Sequence, residues 1–179
     1  RSREHAKAFI NKGAYVVDNS SAFRLEQEVP LVVYGVNERV ISDDSRLIAN
    51  PNCTTMILMM ALKPMHDAFG LEQIIPVSYQ AVSGSGLDAT NSLEKENDLG
   101  ENLNADYDKG YYGRPIANNI IPLAGNMTDN GYSDEEMKFF NESRKILNIA
   151  NLIVEPSNAR VGVKTGHGIF CSATFKESV

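Results

Sequence analysis

Five stretches of this 179-residue chain carry side chains whose type and position suit chemistry. In "NPNCTTMILMMALKP" (50–64), Cys53 stands between a Pro-containing turn and an apolar run. If a helix starts at about Asn52 to Thr54, the thiol lies at its positive end, where unpaired N–H groups favour a thiolate. The same pattern suits a small core cysteine, the commoner use of the residue. The run reads as apolar on every face, which predicts a buried helix that Pro64 ends or kinks. "RVGVKTGHG" (160–168) sets Arg160 on a strand and His167 between two glycines. Both glycines are free to take positive φ, so the turn can carry the imidazole out of the strand plane, as a general acid or base requires. A lone histidine is more often structural. "SYQAVSGSG" (78–86) puts Gln80 at a strand end and packs Gly84 and Gly86 around Ser83 and Ser85. Such a loop lets backbone approach a ligand closely, though it is also common hairpin punctuation.

"SSAFR" (20–24) ends a strand on Arg24, a forked donor suited to carboxylate or phosphate. In "SDEEMKFF", Glu135 and Lys138 are three apart and share a helix face, where a solvated ion pair is the usual outcome. Bulk properties restrict the partners. Net charge is −6 with both signs interspersed, which argues against nucleic acid or an anionic membrane surface. The longest apolar run, Met56–Leu62, is too short to span a bilayer, and no signal-peptide pattern opens the sequence. Cys53 and Cys171 lie too far apart in sequence to suggest a disulfide framework, so a reducing cytoplasm is the expected setting. The three histidines form no HxxxH and there is no CxxC, so no metal site is expected.

Among the supporting elements, "SREHAKAFINKG" predicts a short helix with Ser2 as N-cap and Gly13 as its stop. "AYVVDNSS" (14–21) and "RLIAN" (46–50) read as strands, and with the helix after Cys53 they give the rhythm of an α/β unit with parallel strands. From 71 onward strands dominate: 71–80, 115–123, 151–155, 158–164 and 168–175. Between them lie a polar helix around Asp88–Leu99 and a helix opening at Ser133, whose capping box pairs Ser133 with Glu136. A second, mixed-sheet domain is expected to begin near Cys53. No glycine-rich dinucleotide loop precedes residue 14, and the chain is expected to be a piece of a longer protein.

Taken together, "VVDNSSAFR", "VPLVV…VN", "IANPNCTT", "SYQAVSGSG", "NGYSDEEMK" and "RVGVKTGH" resemble, in order and spacing, the motifs of aspartate-β-semialdehyde dehydrogenases. The likeness runs from about Gly13 to His167, with the Cys53 to Gln80 and Arg160 to His167 spacings its most specific parts. It departs where relatives commonly have Pro in place of Gly162 and Ser in place of Gly168, and in a short segment between the serine-glycine loop and Pro115. The resemblance implies an α/β fold of the glyceraldehyde-3-phosphate-dehydrogenase-like kind. Residues 1–52 would be the C-terminal part of a Rossmann-type NAD(P)-binding domain, and residues 53–179 an α+β catalytic and dimerisation domain with a mixed sheet.

The same resemblance implies NADP-dependent conversion of L-4-aspartyl phosphate to L-aspartate 4-semialdehyde and phosphate through a cysteine thioester, in lysine, threonine and methionine biosynthesis. Cys53 would be the nucleophile, His167 the acid/base, and Gln80 the group orienting substrate near the thiol. Arg160 would grip the substrate's α-carboxylate. Arg24 and Lys138 would hold phosphate with Glu135 and Asn52 beside them, and Ser83 and Gly84 would face the nicotinamide end of NADP. A homodimer or homotetramer in the cytoplasm would follow. N-Acetyl-γ-glutamyl-phosphate reductase, which also uses a Cys and a His on this fold, resembles the chain less closely. An inactive fragment serving only as a dimerisation module is a further alternative. A thiol protease is the most distant, since nothing beyond Cys and His supports it.

Overall fold

A computed structural model describes residues 1–103 and 110–179, with Glu101 described by its backbone only. Part of the short segment before Pro115, residues 104–109, lies outside the described residues. The described chain divides into two compact units. One comprises Arg1–Ile75, Met137–Glu155 and Ser172–Val179, and the other Pro76–Glu136 and Pro156–Cys171. The architecture is α/β, with parallel strand pairs in both units and an antiparallel pair in the second. Among the described residues no helix is long and apolar enough to cross a membrane.

The first unit opens with helix α1, Ser2–Ile10. Its N-cap is Arg1 and makes no side-chain cap bond, so the expected role of Ser2 is not realised. The Ser2 hydroxyl is engaged instead with Asp18. Gly13 lies beyond the C-cap residue Asn11, at φ 86 in the turn that leads to the first strand. Strand β1, Val16–Asp18, pairs in parallel with β2, Leu47–Ala49, and Leu31 bridges Ala49 in the same sense.

Helix α2 runs Cys53–Phe69 and continues through Pro64, so that of the expected stop or kink the stop does not occur. Proline removes one amide donor, but Pro64 and Met60, whose carbonyl would have received it, are both exposed positions, where such a loss costs least. The helix is also not buried all round. Thr54, Thr55, Leu58, Met59 and Leu62 face inward, while Ile57 and Met60 are more than half exposed. Strand β3, Leu71–Gln80, begins here and pairs in parallel with β5, Ile153–Val154. Helix α4, Asp134–Leu147, buries Phe139, Ile146 and Leu147. Fully burying such side chains contributes about 1.5–3 kcal/mol each.

In the second unit β3 pairs in parallel with β6, Ser157–Val161, and β6 pairs antiparallel with β4, Ile120–Ile121. Strand β7, Gly168–Phe175, also pairs with β3. Helix α3, Leu87–Leu99, packs Ala89 and Leu93 against Val82, Ile116, Ala117 and Ile121. The strand expected over 115–123 is reduced to two residues. Glu96, buried at the inner face of α3, accepts the amides of Ile116 (2.6 Å) and Ala117 (2.8 Å), and the Asn119 side chain donates to the Pro115 carbonyl. These side chains take over backbone groups that a sheet ladder would have used.

The capping box at the head of α4 forms as the sequence predicts. Ser133 Oγ accepts the Glu136 amide (3.1 Å) and Glu136 Oε2 accepts the Ser133 amide (2.7 Å).

Over residues 77–80 of β3 and 158–160 of β6 the burial alternation is inverted relative to an ordinary half-buried sheet. Inward positions carry Ser78, Gln80, Asn158 and Arg160, while outward ones carry Tyr79 and other less polar residues. Polar side chains on the buried face need partners and a reason to be there.

Candidate functional site

The thiol belongs to the first unit. Pro51 disfavours helical geometry at Asn50, and Asn52 takes extended backbone at φ −59, ψ 145. Its side-chain oxygen accepts the Thr54 amide at 3.1 Å, which starts α2 on Cys53. Cys53 is exposed, and it lies in the helix's first turn, where the dipole lowers the cost of a thiolate. It is therefore not the core cysteine that its apolar neighbours also suited.

A carboxylate that sequence reading missed holds this start from below. Glu142 on α4, only 2% exposed, accepts the Asn52 amide at 2.7 Å through Oε2 and the Arg24 guanidinium at 3.0 Å through Oε1. Arg24 is itself buried. Its Nη2 donates to the Asn19 carbonyl at 3.0 Å, and its Nε is buried without a partner among the described residues. Burial pushes the Glu142 carboxyl above its ordinary range, opposed by the Asn52 amide, Arg24 and Lys138. The segment behind Arg24 is clamped by Lys145, whose Nζ donates to the carbonyls of Arg24 (2.9 Å), Glu26 (2.6 Å) and Val29 (2.7 Å). Desolvation lowers the Lys145 pKa, with Glu26 opposing.

The imidazole belongs to the second unit. Gln80 and Arg160 are register partners on β3 and β6, and the residue after Gln80 serves both functional neighbours with its backbone. The Ala81 amide donates to His167 Nδ1 at 3.0 Å, while its carbonyl accepts from Arg160 Nη1 at 2.9 Å. With Nδ1 accepting, neutral His167 carries its proton on Nε2. Burial and then the Arg160 charge lower its pKa, and Glu135 opposes them, which leaves the ring neutral in the physiological range.

Arg160 stacks over the Tyr112 ring at 5.5 Å, and its Nε is buried without a partner among the described residues. Gln80 donates to Ser78 Oγ at 3.2 Å. Of the two glycines flanking His167, Gly166 alone is left-handed, at φ +96, since Gly168 opens β7. Ser83 and Gly84 lie in a 3-10 turn, Val82–Ser85. The turn is pinned by the Val82 amide to the Val163 carbonyl (2.9 Å) and by the Ser83 amide to Lys164 (3.0 Å). A Cβ at Gly84 would meet the His167 ring at 3.0 Å, so a larger residue here would press on the imidazole.

The predicted residues thus fall into two sets. Arg24, Asn52, Cys53 and Lys138 are in the first unit, and Gln80, Ser83, Gly84, Glu135, Arg160 and His167 are in the second. Glu142 was missed because its partners lie 90 and 118 positions away. One signal for it did exist: it sits between Phe139 and Ile146 on the inner face of α4, and a carboxylate there demands a partner.

A parallel α/β part joined to a mixed-sheet part is the architecture of nicotinamide-dependent dehydrogenases built from a binding domain and a dimerisation domain. Residues 1–44 match the family model "Semialdehyde dehydrogenase, NAD binding domain", and residues 62–179 match "Semialdehyde dehydrogenase, dimerisation domain". The chain belongs to the semialdehyde dehydrogenase family.

It is 45% identical to an aspartate-semialdehyde dehydrogenase of Corynebacterium glutamicum, covering 99% of this chain and 56% of the relative. It is similar to the crystal structure of aspartate semialdehyde dehydrogenase II from Vibrio cholerae complexed with ASA, at TM-score 0.92 and 35% identity, over 99% of this chain and 53% of that one. It is also similar to an aspartate semialdehyde dehydrogenase with NADP from Candida albicans, at TM-score 0.68 and 25% identity, over 98% and 48%. The chain spans about half the length of the curated relatives it matches.

Proposed function

We propose that the whole protein is an NADP-dependent aspartate-semialdehyde dehydrogenase that interconverts L-4-aspartyl phosphate and L-aspartate 4-semialdehyde plus phosphate, in lysine, threonine and methionine biosynthesis. The observation that carries this reading is the exposed Cys53 on an Asn52-capped, 17-residue helix, beside a buried arginine with an unpartnered Nε. Residues 1–52 would be the C-terminal part of the cofactor domain, and residues 53–179 part of the catalytic and dimerisation domain, of a homodimer or homotetramer in the cytoplasm. The Vibrio relative's bound ASA and the Candida relative's NADP support the choice of substrate and cofactor.

In the oxidative direction the Cys53 thiolate attacks the aldehyde carbon, forming a C–S bond and an alkoxide. His167, with its proton on Nε2, donates a hydrogen bond to that oxygen and exchanges its proton as the carbonyl re-forms. Gln80 orients the aldehyde, and Arg160 holds the α-carboxylate through its remaining donors. Once oxidised, the carbon is a thioester. Phosphate held by Arg24 and Lys138, with Glu135 and Asn52 beside them, attacks it and expels the Cys53 thiolate. Ser83 and Gly84, in the turn whose missing Cβ lets backbone lie against the imidazole, would hold the nicotinamide end of NADP. That group, when bound, supplies the two-electron oxidation.

Cys53→Ala in the whole protein should cut phosphate-dependent NADP⁺ reduction with aspartate semialdehyde by on the order of 10⁴-fold or more. Retained activity would sink the assignment. Turnover of N-acetylglutamate semialdehyde above aspartate semialdehyde would move it to the arginine-pathway reductase.

A further inference from the structure

We propose that Glu142 is a positioning residue, its carboxylate fixing the Arg24 guanidinium in register with the peptide that opens the helix of Cys53. The proposal rests on the reading of Cys53 as the thiol and Arg24 as the anion-holding group. The two carboxylate oxygens are divided between two donors from separate chain segments, Arg24 Nη1 at 3.0 Å and the Asn52 amide at 2.7 Å. The Asn52 side chain in turn holds the Thr54 amide, so the peptide before Cys53 is fixed from both sides.

Stability does not explain this arrangement, because apolar side chains of similar volume commonly replace a buried ion pair without loss. Recognition of an anion does. Glu142 engages one guanidinium nitrogen and the Asn19 carbonyl another, while Nε has no partner among the described residues. Lys138 stands one helical turn before Glu142 and acts on it electrostatically. Arg24 thus keeps one buried donor for an anion, held at a fixed place beside the thiol's helix terminus.

Glutamine cannot reproduce this, because both partners are donors and its amide offers one oxygen and one further donor. In the whole protein, Glu142→Gln should therefore raise the KM for phosphate in aldehyde oxidation by about tenfold, with the KM for aldehyde moving less than about twofold. A merely structural role would lower the titre of active sites and leave both constants unchanged, and that result overturns the proposal. If Glu142→Gln does not fold, Glu142→Asp keeps the charge but is too short to reach both donors, and the same split is expected. A phosphate KM equal to wild type in that variant overturns the proposal too.

If the wild-type protein does not oxidise aspartate semialdehyde, the functional reading fails, and the positioning role is then decided by iodoacetate alkylation of Cys53 as inorganic phosphate is added. Protection in wild type that is weakened in Glu142→Gln upholds the role, and equal responses overturn it.

Discussion

The thiol and the imidazole are held by opposite means. At Cys53 the fixing atom is a side-chain carboxylate, Glu142, drawn from a helix 90 residues away in sequence and shared with a buried arginine. At His167 the fixing atoms are the amide and carbonyl of a single residue, Ala81, which serve the imidazole and Arg160 in turn. A main-chain peptide is always present and never titrates, so the His167 tautomer survives any side-chain substitution that keeps the strand end in place. A carboxylate can be deleted or protonated, so the thiol's surroundings respond to both. The first arrangement can be tuned, and the second is robust.

The sharpest way to break the comparison is to strand one charge. Glu142→Leu leaves Arg24 buried without its counter-charge and should cost about 3–5 kcal/mol in urea unfolding. The double variant Arg24→Met, Glu142→Leu should recover most of that loss. On the imidazole side, Arg160→Met leaves chiefly the Ala81 carbonyl unsatisfied, for about 1–3 kcal/mol. Equal costs for Glu142→Leu and Arg160→Met would erase the distinction.

How much of this was legible in the sequence follows the same division. Cys53 behind Asn52, the Ser133–Glu136 box, and most strand and helix locations were readable, because caps and periodicity are local signals. Glu142 and Ala81 were not. The first earns its place through partners far along the chain, and the second through backbone atoms that any residue would supply. The stretch 115–123 misled for a related reason: its apolar pattern suits a strand, yet Glu96 on another element takes two of its amides. Pro64 is not the stop that it could have been, because local rules count the missing donor but not the exposure of the position.

A milder perturbation tests how far the main-chain side depends on its supports. Ser133 Oγ accepts both the Glu136 amide and the Asn158 side-chain amide (2.9 Å), and Asn158 lies two residues before Arg160 on β6. Ser133→Ala should cost about 1–2 kcal/mol, the upper part arising from the unpaired Asn158 amide. A double-mutant cycle with Asn158→Ala should show positive coupling. Strict additivity would mean that the cap and the strand are independent.

The smallest effect is the most diagnostic, because the two ends should respond to pH with opposite signs. The His167 pKa is depressed in the folded protein by burial and Arg160, so below the ordinary histidine value of 6.5 the unfolded chain binds more protons. Stability on that side is present above pH 6.5 and is lost as pH falls through the folded value. The effect is limited because the ring is only partly buried and water screens its charge. The Glu142 carboxyl is raised instead, so the folded chain holds the extra proton, and stability declines as pH climbs from 4.5 through the folded value. Urea midpoints measured from pH 4.5 to 8 should therefore show His167→Asn removing part of the acid-side loss. Its side-chain oxygen can still accept the Ala81 amide but does not titrate. Glu142→Gln should remove the opposing decline, after its lower baseline is subtracted. If both variants changed the slope in the same direction, the thiol and imidazole ends would be under the same electrostatic control, and the contrast between carboxylate and peptide would fail.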